Sequence, residues 1–210
     1  MEAENIFKFC LNKMNGGMDH QNLLNVLSAL CEVANNLPID SQYQCLKVIY
    51  TPFANNISEF LSSQKPESIT RVQESIQSLA TILVCNCEEM QSKMKNGMHP
   101  ILSLFTDLNP LLVNFVTKYH KSNPIIIGSY SELVTNVVNS TGQSFFPLVE
   151  STLQFVLICF KETLEPSLLQ IIFNLIRLFF RLSFRILAQL FLLQEISKGR
   201  LLISQKYCPS

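Results

Sequence analysis

Apolar positions recur every three to four residues along almost the whole chain, and strand-like alternation is nearly absent. Asp19 stands at the head of "HQNLLNVLSALCEVANN", which stops at Leu37-Pro38. Asp40 and Ser41 are placed to cap the next run, "QYQCLKVIYTPFANNISEFLSS", where Pro52 predicts a kink because proline lacks an amide donor. Pro66-Glu67 opens "SITRVQESIQSLATILV", as proline tolerates a first helical turn. A polar stretch, "NCEEMQSKMKNGMH", separates it from "PILSLFTDLNPLLVNFVTKYH". The best strand candidate, "PIIIG" at 124–128, continues into Tyr130, Leu133, Val134, Val137 and Val138 at helical spacing, so a helix is expected there too. Two further runs start at Phe146 and Pro166.

Short connections favour antiparallel neighbours, which predicts helical hairpins. "NPLLV" at 109–113 and "FPLV" at 146–149 lie 37 positions apart, counted from Pro110 to Pro147. Each is expected early in a helix, an offset a little below the period of about 40–47 residues of HEAT and armadillo repeats. The stretch "GQSFFPLVESTLQFVLICF" (142–160) reads as one helix that is apolar on two sides. Phe146, Val149, Leu153, Val156, Leu157 and Phe160 form one face, and Leu148, Phe155, Ile158 and Cys159 flank it. An interior helix of a stacked solenoid touches its hairpin partner and both neighbouring repeats, which calls for such a wide arc. A four-helix bundle needs a single stripe. The expected fold class is therefore all-α, a HEAT/armadillo-like helical-hairpin solenoid.

Composition narrows the functional classes. The chain has 210 residues, sixteen basic and sixteen acidic side chains, 48% hydrophobic and 15% charged residues. A chain of this length can bury roughly 70% of its unfolded surface. The charge balance argues against a nucleic-acid binder, and weak charge offers little protection against association. The seven cysteines, Cys10, Cys31, Cys45, Cys85, Cys87, Cys159 and Cys208, are scattered through apolar runs and read as buried free thiols. Cys85-x-Cys87 lacks the spacing of zinc or redox motifs, and His20, His99 and His120 form no ligand doublet. The N-terminus "MEAENIFKFCLNKMNGG" is too polar for a signal peptide and is either an ordinary helix start or an interior methionine.

No catalytic constellation is found, so a non-enzyme without metal or cofactor is expected. Gly16-Gly17 and Gly97 lack the P-loop pattern, and no nucleophile elbow occurs. Glu88-Glu89 read as solvated carboxylates. Lys118, His120 and Lys121 read as a solvated turn that complements a helix C-terminus, and His99 as a helix entry. Arg177, Arg181 and Arg185 stand four apart on a very apolar helix. They are either a solvating stripe or a basic ridge for an acidic partner or lipid headgroups. Residues 168–193 are long enough to span a bilayer, but three arginines within them cost on the order of 2.5–3.5 kcal/mol each near the centre.

Residues 96–149, "NGMHPILSLFTDLNPLLVNFVTKYHKSNPIIIGSYSELVTNVVNSTGQSFFPLV", resemble the C-terminal half of importin-β-type nuclear transport receptors (karyopherins). The transportin-SR group and its importin relatives are the nearest in pattern. The resemblance rests on His99-Pro100, Leu108-Asn109-Pro110-Leu111-Leu112, the "KYHKSN" turn, the helix ending near Ser140 and Phe145-Phe146-Pro147-Leu148-Val149. It covers 19–179, with specific motifs only in 96–179. It implies HEAT repeats that carry protein cargo through nuclear pores under control of the GTPase Ran, with nucleoporin contacts and shuttling between nucleus and cytoplasm. The family's Ran contacts lie largely in N-terminal repeats that this chain lacks, which implies a C-terminal-half fragment. Residues 1–179 are read as HEAT-like repeats, and 180–210 as an atypical apolar helix and tail, truncated or non-native. A generic HEAT/armadillo scaffold and a membrane-associated protein using 168–193 are the alternatives.

Overall fold

Helix starts follow local chemistry. Asp19 accepts the Asn22 amide at 3.0 Å, which satisfies one of the free donors at the head of α1 (His20–Asn35). The second helix, α2 (Ile39–Ser63), begins ahead of Asp40 and Ser41, not after them. The Pro38 carbonyl already accepts the Gln42 amide at 2.9 Å, so the turn closes before either proposed cap. Pro52 lies inside α2, where it offers no amide to the Val48 carbonyl. Next come α3 (Ile69–Ile82), α4 (Pro100–Tyr119) and α5 (Pro124–Thr141). Both α4 and α5 start with proline behind a capping side chain, His99 and Asn123 respectively.

The expected helix over 142–160 is divided. Gly142 has φ +50°, a conformation suited to glycine, and Gly142–Leu148 forms a 3-10 segment before α6 (Val149–Thr163). The last helix, α7, covers 167–181. The computed structural model describes residues 18–63, 69–84, 99–121, 123–181 and 183–184, with Asn5, Phe9, Cys10 and Asn12, and among these no strand occurs. Helix α7 runs through the expected boundary at 179/180, and residues 185–210 lie outside the described ones.

Neighbour relations follow a fixed order. Helix α1 packs on α2 and α3, α2 on α3 and α4, α3 on α5, and α4 on α5. One continuous apolar core runs from Leu27 in α1 to Leu178 in α7. The helix buried over the widest arc is α5, which encloses Ile126, Ile127, Tyr130, Leu133, Val134, Val137 and Val138 together with Ser129, Ser131, Ser140 and Thr141. The stretch expected to play that part is more exposed. Helix α6 buries only Val149, Thr152, Val156 and Cys159, while Phe146, Leu157 and Ile158 are exposed. The face that packs includes Cys159, because the 3-10 segment resets the helical phase ahead of α6.

The two proline segments are not equivalent either. Pro110 sits in the middle of α4, whereas Pro147 lies in the 3-10 segment that leads into α6. Their offset of 37 positions therefore marks no structural repeat unit.

Candidate functional site

Polar ties between helices two apart are the most regular feature of the described residues. In one series, the Tyr50 hydroxyl of α2 donates to the Leu104 carbonyl of α4 at 3.2 Å. His120, at the end of α4, meets Glu162 of α6 at 2.6 Å. In the other series, His20 of α1 donates to Gln77 of α3 at 2.9 Å, and the Cys31 thiol points to the Ile82 carbonyl at 3.8 Å. Asn136 of α5 donates to the Ala80 carbonyl of α3 at 3.1 Å. Ser131 of α5 donates to the Ser167 carbonyl at the head of α7 at 2.6 Å. Ring contacts join the same helices: Phe60 of α2 meets Phe115 of α4 edge-on at 5.7 Å. A further ring contact joins the consecutive helices α5 and α6, where Tyr130 meets Phe155 edge-on at 5.7 Å.

The two histidines of α4 are held in opposite ways. His99 is 1% exposed, and its Nδ1 accepts the Ile101 amide at 3.2 Å, so that nitrogen must carry a lone pair. Burial pushes its pKa down to about 4, consistent with a neutral ring. His120 is 5% exposed, which corrects its reading as a solvated turn residue. Its Nδ1 faces the Val116 and Thr117 carbonyls at 2.9 and 3.1 Å, and its Nε2 faces the Glu162 carboxylate. Both ring nitrogens therefore have hydrogen-bond partners, one on the end of α4 and the other on Glu162. Lys121 reaches the second Glu162 oxygen at 3.3 Å. Hydrogen bonds from His120 and then Lys121 hold the Glu162 carboxyl below its ordinary range. This cluster clamps the ends of α4 and α6 together. It was only half legible in the sequence, because Glu162 lies 42 residues from His120.

None of these groups forms a reactive constellation. Burial and the charge of Glu162 push the Cys159 thiol up to about 11, away from a nucleophilic thiolate. Cys31, Cys45 and Cys159 are buried, and Cys10 is half-buried. Cys85, Cys87, Cys208, Glu88, Glu89 and the glycines at 16, 17 and 97 lie outside the described residues. Among the described residues no group of three His, Cys, Asp or Glu side chains could hold a metal ion.

Of the arginine ridge, Arg177 and Arg181 are exposed on α7, and Arg185 lies outside the described residues. Sequence reasoning missed what lies beside them. Phe173, Ile176, Phe179, Phe180 and Phe184 are exposed as well, with Phe173 and Phe180 on the side away from buried Leu168, Ile171, Leu175 and Leu178. Phe179 stacks on Phe146 with ring centroids 6.4 Å apart. Two described stretches, Pro100–Tyr119 and Pro124–Thr163, are long and apolar enough to cross a membrane, although α4 has half of that stretch buried in the fold, as a core helix does.

No protein-family model, no curated protein and no solved structure matches the chain.

Proposed function

We propose that this chain is a protein-binding scaffold of stacked helical hairpins, HEAT-like in character. It serves as part of an importin-β-type nuclear transport receptor that carries protein cargo through the nuclear pore under Ran control. The observation that supports the stacking is the set of ties between each helix and the next but one. In a stack of hairpins, equivalent helices of successive repeats lie side by side, so contacts arise between α2 and α4 and between α3 and α5. A closed bundle has no need of such a progression. The transport role rests on the resemblance of residues 96–149.

In this reading, recognition is distributed. Cargo is held by shape and many modest contacts over helical surfaces, and a second partner releases it by changing the curvature of the stack. No residue performs covalent chemistry, and no cofactor takes part.

The test is binding by the natural product, immobilised through an antibody to residues 60–95. Retention of Ran loaded with a non-hydrolysable GTP analogue, and of phenylalanine-glycine nucleoporin repeats, is expected. Retention of neither sinks the transport role and leaves the generic HEAT/armadillo scaffold, for which the same packing serves.

A further inference from the structure

Helix α7 presents an exposed aromatic and basic surface. Its inner stripe, Leu168, Ile171, Leu175 and Leu178, is buried in the core and holds the helix flat against the domain. Opposite that stripe, Phe173, Phe180 and Phe184 are 64%, 56% and 69% exposed. Phe173 and Phe180 are seven residues apart, which lines them up along one crest of α7, and Phe184 follows beyond the end of the helix. Ile176 widens the apolar crest on one side, and Arg177 and Arg181 stand exposed on the other. Among the described residues neither arginine has a carboxylate at ion-pair distance. The sequence contains no acidic residue between Glu165 and Glu195.

We propose that this crest docks the protein peripherally on an anionic lipid surface, with the three phenylalanines at the headgroup–acyl boundary and Arg177 and Arg181 on lipid phosphates. Charge complementarity selects the occupant. A second copy meeting the crest through a two-fold axis would set the arginines against themselves. A partner helix needs a groove to lie in, whereas one convex helix crest suits a plane into which aromatic rings insert while basic side chains pair at the rim. The mode is not a membrane span, because the inner stripe is committed to the core. It is also independent of the transport role, since either can hold without the other.

The experiment is flotation of the purified full chain with vesicles of phosphatidylcholine mixed with phosphatidylserine, against phosphatidylcholine alone. Flotation with the mixed vesicles only, weakened by salt, is expected. R177Q/R181Q should lower the partition coefficient about thirtyfold, the effect of two basic residues at an anionic surface. F173S/F180S should lower it on the order of a hundredfold through lost ring insertion. R177K/R181K should retain binding. Circular dichroism and elution volume establish that each variant stays folded, which the exposure of all four positions favours.

Equal flotation with both vesicle types, or binding indifferent to both loss variants, overturns the proposal. Without flotation, self-association abolished by F173S/F180S would assign the crest to a second copy. Capture of a synthetic Leu/Glu amphipathic peptide through the same residues, again without flotation, would assign it to an acidic protein partner. Either result overturns the lipid reading.

Discussion

His99 and His120 cap the two ends of one helix, and only the surroundings of His99 tie its cap to pH. His99 keeps a lone pair on Nδ1 for the Ile101 amide, and burial lowers its pKa to about 4. The unfolded chain therefore takes up a proton near pH 6.5 that the folded chain refuses until about pH 4. Stability from this residue is complete above about pH 6.5 and falls as the pH drops towards 4. The full loss is about 3 kcal/mol, at about 1.4 kcal/mol per pKa unit. His99→Asn keeps a capping side chain without the titration. Urea midpoints measured across pH 4–7 should therefore depend less on pH in His99→Asn than in the parent chain, and equal slopes would contradict the neutral cap. Glu162 acts in a lower window, because its lowered carboxyl pKa contributes stability that is lost only as the pH falls below the ordinary carboxylate range.

At the scale of elements, the joints decide more than the helices do. Leu164 ends α6 in the left-handed region at φ 55°, with its amide on the Phe160 carbonyl at 2.8 Å. A branched side chain with a Cβ costs about 1–2 kcal/mol in that conformation, and Leu164 is 70% exposed, so its side chain offsets little of this. Leu164→Gly should therefore stabilise the fold by about 1 kcal/mol, read as a higher thermal midpoint. A lower midpoint would mean that the Leu164 side chain makes a contact worth more than the strain. The end of α6 was legible only in part, since sequence shows the proline at 166 but not the left-handed residue that closes the helix. The end of α5 near Ser140 was legible, but the 3-10 segment Gly142–Leu148 was not, because apolar spacing continues across it while the helical phase shifts.

Over the whole molecule, the aromatic seam between α2 and α4 joins segments far apart in the chain. Phe115 is fully buried and contacts both Phe60 and Tyr119. Phe115→Ala should cost about 3–5 kcal/mol in urea unfolding, the usual range for emptying a buried ring site. A cost near zero would mean that α2 and α4 are not held together at this seam. The contrast with the exposed phenylalanines of α7 is informative. Residues of one type, in runs of similar hydrophobicity, fill a core at one place and face outward at the other.

Sequence by itself determined that the described residues are helical, where most helices begin, and that prolines 100 and 124 stand at helix starts. These outcomes depend on spacing, side-chain hydrogen bonds and proline geometry, all of which act within a few residues. It also marked His99 as a helix entry. Tertiary structure decided which apolar face of each helix is buried. It made α5 and not 146–160 the interior helix, found Glu162 for His120, and left the crest of α7 outward. The physical reason is that hydrophobic attraction is not directional. It rewards burial of any apolar surface of sufficient area, so the partner of each face is set by helix phase and by contacts dozens of residues away.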